Sequence, residues 1–105
     1  GMVFRNCGYV LLESCSTLGA TSKVGVTATE NCFLWARRHS FWNVYYALYA
    51  NVNASIVSQD CSTFSTVLYG LVADFGGTVK KASATQPTGS TANEYAVTSR
   101  GGRII

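Results

Sequence analysis

Charge is scarce in this sequence of 105 residues. Aspartate, glutamate, lysine and arginine together make up 12% of it, whereas hydrophobic residues make up 48%. Such an apolar composition excludes a disordered chain, and so few charges are unusual for a cytosolic surface. Serine, threonine, asparagine and glycine supply most of the polar positions instead, which suits a secreted protein. At this length the sequence predicts one domain, residues 1–105, with flexible ends at 1–6 and 100–105.

The sequence also lacks the patterns of several kinds of functional site. It has no glycine-rich phosphate loop before a helix, no close pair of acidic residues and only one histidine, His39. A Cys-x-x-Cys pair, typical of zinc sites, is absent too. The basic-glycine-aromatic signature of RNA-recognition domains is missing, and the eight lysines and arginines form no dense block. We therefore expect no enzyme activity, no metal or other cofactor and no nucleic-acid partner.

Three features of the sequence bear on where the protein is located in the cell. Gly1-Met2 resembles an expression remnant before a mature sequence whose signal peptide has been removed. The most apolar run, Phe41 to Val52, is shorter than the roughly 20 residues of a membrane span. Asn53-Ala54-Ser55 is a glycosylation sequon, so Asn53 is a candidate modification site.

Four cysteines in a short chain indicate two disulfides in an oxidising compartment. They are Cys7, Cys15, Cys32 and Cys61, for which three pairings are open. Cys15 falls in the predicted first strand and Cys32 in the first turns of the helix that follows. Because a strand packs on the helix that follows it, we expect Cys15–Cys32 and Cys7–Cys61 bridges.

Two segments carry helical patterns. Thr27 and Glu30 match a capping box, which predicts a helix over 28–39 with positive charge at its end. Apolar residues then recur at spacings of three and four over 64–75, which predicts a second helix that ends at Gly76-Gly77.

The remaining segments read as strands, and no internal repeat is evident. In the segment from Phe41, alternation places Tyr46 on the face opposite to that of Tyr45 and Tyr49. The predicted strands are Tyr9 to Leu18, a hairpin of Phe41 to Ala50 with Ala54 to Ser58, Thr78 to Ala84 and Tyr95 to Ser99. The order is β-α-β-β-α-β. It predicts an α+β fold with two helices on one face of an antiparallel four-stranded sheet, or a five-stranded one with an added edge strand.

This pattern resembles the secreted fungal killer toxins of the α/β-sandwich fold, which include the smut-virus toxin subunits, the salt-mediated yeast toxin and zygocin. The likeness is carried by Cys15, by the stretch Gly25-Val26-Thr27-Ala28-Thr29-Glu30-Asn31-Cys32, by the aromatic hairpin and by the helix after Cys61. It implies a toxin that kills sensitive cells by damaging their plasma membrane, with no catalytic residues.

Basic and aromatic residues next to each other suit a membrane headgroup interface. The candidate membrane or partner surface consists of Arg37, Arg38, Phe41, Tyr45 and Tyr49. The alternative function is a secreted effector, a non-enzymatic binding module for a host protein or receptor. The expected partners are a cell membrane or cell-wall receptor, and a second copy or subunit could pair with the aromatic face.

Overall fold

The chain winds as a parallel β-solenoid in a computed structural model that describes residues 1–19 and 23–105. Each full coil contributes one strand to each of three sheets, with sharp corners between them. The strands are β1 (Met2–Arg5), β2 (Val10–Glu13), β3 (Ser16–Leu18), β4 (Val24–Thr29), β5 (Phe33–Arg37), β6 (Ser40–Trp42), β7 (Val44–Ala50), β8 (Ser55–Gln59), β9 (Ser62–Thr63), β10 (Val67–Ala73), β11 (Thr78–Lys81), β12 (Ala92–Ala96) and β13 (Arg103–Ile104).

Each strand pairs with the equivalent strand of the neighbouring coil, and every pair among the described residues is parallel. Sheet 1 has the order β1-β4-β7-β10-β12, sheet 2 the order β13-β11-β8-β5-β2 and sheet 3 the order β3-β6-β9. Within sheet 1, Val26 lies opposite Leu48, 22 residues on, and Leu48 opposite Leu71, 23 residues on. This spacing is the length of one coil.

The coil length corresponds to a sequence repeat that the sequence analysis missed. Gly25-Val26-Thr27-Ala28, Ala47-Leu48-Tyr49-Ala50 and Gly70-Leu71-Val72-Ala73 have the same pattern of small and large residues and occupy equivalent positions. A repeat of this kind is typical of solenoids, because each coil can bury its apolar face only against its neighbours. The expectation of a chain without repeats is therefore wrong.

Ladders of equivalent side chains fill the interior. Val26, Leu48 and Leu71 stack in sheet 1, and Leu34, Ile56 and Val79 stack in sheet 2; all six are buried. Small residues occupy most positions at the corner between these sheets, although Phe4 lies opposite Ala28 in the first coil. Their ladders are Ala28, Ala50, Ala73 and Ala96, followed by Gly8, Cys32, Ala54, Gly77 and Gly102.

Left-handed backbone conformations make the corners. Asn31, Asn53 and Gly76 have positive φ between sheets 1 and 2, and Arg38 and Asp60 between sheets 2 and 3. Asparagine and glycine tolerate this conformation best. Gly76, which was predicted to end the second helix, instead turns the chain between β10 and β11.

The α+β fold and its α/β-sandwich description are wrong: the described residues contain no α-helix, and the paired strands are parallel rather than antiparallel. The first predicted helix, 28–39, is the end of β4, a corner and β5. Glu30 has positive φ in that corner and does not cap a helix. The hairpin is wrong as well, because β7 and β8 belong to different sheets.

The second predicted helix, 64–75, is β10, and its end residues Phe64 and Phe75 are exposed. In this strand Leu71 faces the interior, whereas Tyr69 and Val72 lie on the outer side. Because residues on both sides are apolar, the sequence shows no alternation of polar and apolar residues, and the strand was predicted as a helix. The strand predicted over 54–58 is confirmed by β8, and the start of that over 78–84 by β11. Of the ends expected to be flexible, Met2–Arg5 and Arg103–Ile104 lie in strands.

The two expected disulfides are not formed, and all four cysteines are free thiols. Cys7 and Cys32 lie at the corner between sheets 1 and 2, whereas Cys15 and Cys61 lie at the corner between sheets 2 and 3. Strand β5 separates these corners by about 16 Å, far beyond the roughly 7 Å that a disulfide can span between Cα atoms. Neither Cys15–Cys32 nor Cys7–Cys61 can bridge this fold.

Candidate functional site

Five tyrosines gather on the outer side of sheet 1, and we call this group the tyrosine surface. Its members are Tyr45, Tyr46, Tyr49, Tyr69 and Tyr95. They come from β7, β10 and β12, three neighbouring strands in successive coils. Tyr46 lies directly opposite Tyr69, and Tyr49 and Tyr95 lie on either side of Val72 in one row. The solenoid thus lines up residues that are about one coil apart in sequence.

The rings of the tyrosine surface contact one another as a continuous group. Ring centroids are 5.0 Å apart for Tyr45 and Tyr46, 5.4 Å for Tyr46 and Tyr69 and 5.5 Å for Tyr69 and Tyr95. Tyr49 meets Tyr46 edge-on at 5.4 Å. Aromatic pairs prefer such tilted and edge-on arrangements, so the rings hold each other in place.

The tyrosine surface is accessible and uncharged. Tyr45 and Tyr95 expose 37% and 45% of their area, and the other three tyrosines are half-buried. Burial, followed by the neighbouring phenols, raises the pKa of Tyr46 above its ordinary value. The Tyr46 phenol therefore stays neutral at physiological pH, and the tyrosine surface presents hydroxyl groups beside apolar ring faces.

An ion pair borders this surface. The Arg100 guanidinium donates to both carboxylate oxygens of buried Asp74, from Nε at 2.9 Å and from Nη2 at 2.6 Å. It also lies over the Phe75 ring at 4.4 Å. The hydrogen bonds to Asp74 raise the pKa of Arg100 further. Since Arg100 belongs to the 3₁₀ turn Thr98–Arg100, this pair attaches the last coil to the one before it.

The predicted membrane surface is dispersed in the structure. Phe41 is fully buried in the core, so its inclusion was wrong. Arg37 and Arg38 lie on sheet 2 and at its corner, and both contact the Glu13 carboxylate, at 3.1 and 3.0 Å. Of the five predicted residues, Tyr45 and Tyr49 alone belong to the tyrosine surface.

Three members of the tyrosine surface were missed from sequence. Tyr46 was assigned to the opposite face because the alternation slips in β7: Tyr45 and Tyr46 are both accessible, and Ala47 and Leu48 are both buried. Tyr69 fell inside the second predicted helix. The spacing of 23 residues from Tyr46 to Tyr69 was the available signal.

Other surface features are weaker candidates for a functional site than the tyrosine surface. Tyr9 stacks on Phe33 at 5.5 Å on sheet 2, as an isolated pair. A polar depression of about 360 Å³ near Leu71 and Pro87 contains Lys81 and Glu94, whose charges neutralise each other at 2.7 Å. The sequon residue Asn53 is exposed in its corner, and its glycosylation stays a prediction.

His39 lies in the core rather than at a helix end. Its Nε2 atom is 2.6 Å from the Thr17 hydroxyl, and its ring packs on Phe41 with centroids 4.7 Å apart. Both His39 and Thr17 are buried, and Nδ1 has no hydrogen-bond partner among the described residues. Although a histidine beside a hydroxyl can activate a nucleophile, this pair is closed off from any substrate.

Burial lowers the pKa of His39, which predicts acid sensitivity. As pH falls below about 6.5, the unfolded chain binds a proton at this ring while the folded protein does not, so stability decreases. Denaturant titrations between pH 7.5 and 5 should show this loss, with a slope of up to about 1.4 kcal/mol per pH unit. His39→Gln should flatten the slope; an equal slope in both proteins would contradict the assignment.

Residues 1–19 and 23–105 contain neither a candidate metal site nor a candidate membrane-spanning helix. No group of three or more histidine, cysteine or acidic side chains is arranged to hold a metal ion. No helix in this part of the chain has the length and apolar character needed to cross a membrane. Comparison of the chain with protein-family models, curated proteins and solved structures finds no match.

Proposed function

We propose that this protein is a non-enzymatic binding module that holds a neutral cell-surface polysaccharide on the tyrosine surface. The observation that carries the proposal is the continuous group of five accessible, uncharged tyrosine rings on one sheet. Tyrosine supplies a large, rigid contact area at low entropic cost, together with a hydroxyl for hydrogen bonds. A sugar ring has the complementary chemistry, with apolar C–H faces and a rim of hydroxyl groups.

The arrangement of the rings favours a polymer over a small molecule. The tyrosine surface spans three coils, and neighbouring coils are about 4.8 Å apart. A chain of sugars laid across these coils would contact several rings at once. A small ligand would instead require an enclosed cavity that buries most of its surface. Repeated weak contacts of this kind add up along a polymer.

Charge favours a neutral ligand over an anionic membrane. Binding to anionic lipids requires basic residues beside the aromatic ones. Here Arg37 and Arg38 lie away from the tyrosine surface and share Glu13, and Arg100 at its border is paired with Asp74. Arg100 also interacts electrostatically with Tyr49 and Tyr95, but its charge is paired with that of Asp74.

Replacing a central ring tests the proposal. Tyr69→Ala removes the ring that contacts Tyr45, Tyr46 and Tyr95, and it should weaken binding to soluble β-glucan or mannan by about 10-fold or more. Isothermal titration calorimetry or affinity electrophoresis would measure this loss. The matched control is Tyr9→Ala, which removes an exposed tyrosine from sheet 2 and should leave binding unchanged.

Three other outcomes would contradict the proposal or favour a different function. Absence of binding to neutral polysaccharides by the unmodified protein would overturn it. A dimer that Tyr69→Ala dissociates would assign the tyrosine surface to a second copy of this chain. Dye release from anionic lipid vesicles would support the membrane damage that the killer-toxin resemblance implies. That activity and secretion of the protein stay predictions, and the helices on which the resemblance rested are strands in this fold.

A further inference from the structure

Two of the free thiols lie side by side at one corner of the solenoid. Continuing the register of β2 with β5 by two residues places Gly8 opposite Cys32, so Cys7 is its diagonal neighbour. Neighbouring coils are about 4.8 Å apart and a strand advances about 3.3 Å per residue, which gives Cα atoms on the order of 6 Å apart. That separation lies within the range of about 4.4–6.8 Å found in disulfides.

The two cysteine side chains share one set of surroundings. Cys32 is buried in the core, and the partly buried Cys7 packs against the same cluster of residues. Burial raises the pKa of the Cys32 thiol; the Cys7 backbone opposes this shift, and the Cys7 side chain adds to it. Cys7 is therefore the more accessible thiol of the pair, and Cys32 is the shielded one.

We propose that Cys7 and Cys32 form a disulfide that joins the first coil to the second. A small-molecule disulfide such as oxidised glutathione is the oxidant. The Cys7 thiolate attacks one of its sulfur atoms and releases one thiolate, and the Cys32 thiolate then attacks the Cys7 sulfur and releases the other. The two protein thiols lose two electrons and two protons, and two molecules of the reduced thiol are formed.

The bond would secure a coil whose strands pair on one side only. Strand β1 pairs with β4 alone, whereas β7 pairs with strands on both sides. An end coil therefore opens more readily than an inner one. A cross-link between residues 7 and 32 restricts that opening and limits the freedom of the unfolded chain.

Peptide mapping of the intact protein tests the proposal. The folded protein is incubated with oxidised glutathione, its remaining thiols are alkylated, and it is digested after lysine, arginine and glutamate. Because cleavage after Glu13, Lys23 and Arg37 places the four cysteines on separate peptides, the expected linked peptide is unambiguous. Recovery of the Cys7–Cys32 peptide, with Cys15 and Cys61 alkylated, would support the proposal. A different pair, or four alkylated cysteines after oxidation, would overturn it.

Thermal unfolding gives a second readout. Oxidation should raise the unfolding temperature of the unmodified protein and of Cys15→Ser by several degrees. It should leave the unfolding temperature of Cys7→Ser unchanged. The exposed Cys15 is the matched control, because it lies at the opposite corner and has no cysteine beside it in the neighbouring coil. An equal rise in Cys7→Ser would contradict the assignment.

Discussion

Leu48→Ala is expected to lower the free energy of unfolding by about 2–5 kcal/mol. Leu48 is fully buried in β7, between Val26 of the preceding coil and Leu71 of the following one. Shortening its side chain leaves a cavity that the rigid coils on both sides cannot fill. Because a domain of this size is stable by only about 5–15 kcal/mol, the variant would lose a large share of its stability. Urea titration followed by circular dichroism would measure the change.

Leu18→Ala is the matched control for this prediction. Leu18 is also a strand leucine, in β3, but it exposes 72% of its area. The same truncation there should change the unfolding free energy by less than about 0.5 kcal/mol. Equal losses at Leu48 and Leu18 would show that β7 does not lie in the middle of the stack.

Gly77→Ala is expected to destabilise the protein by about 2–3 kcal/mol, although alanine is normally better tolerated than glycine. A Cβ atom at Gly77 would overlap with the backbone carbonyl group of Ala50 in the neighbouring coil. Since the backbone fixes the position of a Cβ atom and the Ala50 carbonyl is itself backbone, a side-chain rotation cannot relieve the overlap. The measurement is again the midpoint of urea unfolding.

Gly8→Ala separates this steric effect from a general effect of glycine replacement. Gly8 occupies the same corner position in the first coil, and a Cβ atom there meets nothing within 4 Å. The control variant should be unchanged or more stable by up to about 1 kcal/mol. Equal destabilisation by both variants would contradict close stacking of the coils at this corner.

The strands could be predicted in part because some of them alternate in the usual way. In β8 and β11 the buried Ile56 and Val79 are flanked by less buried residues, and both strands were expected. In β10 the inner and outer residues are equally apolar, which produces spacings of three and four without any helix. Strand direction could not be predicted either, because it depends on which strand lies alongside rather than on local pattern.

The candidate site could be predicted only in part, because most of its residues are far apart in sequence. Tyr45 and Tyr49 were recognised from their aromatic neighbourhood, whereas Tyr69 and Tyr95 are 24 or more residues away from Tyr45 in sequence. Only the stacking of coils brings them together. Conversely, Phe41 follows Arg37 and Arg38 closely in sequence but points into the core.

The sequence by itself was enough to indicate an apolar protein with few charges, turns at asparagine and glycine, and several of the strands. These depend on composition and on the backbone preferences of neighbouring residues, which act locally. Only the tertiary structure decided that the strands stack in parallel, which cysteines are neighbours and which tyrosines share a surface. Each of these relations joins residues about one coil apart, and it exists only once the coils pack on one another.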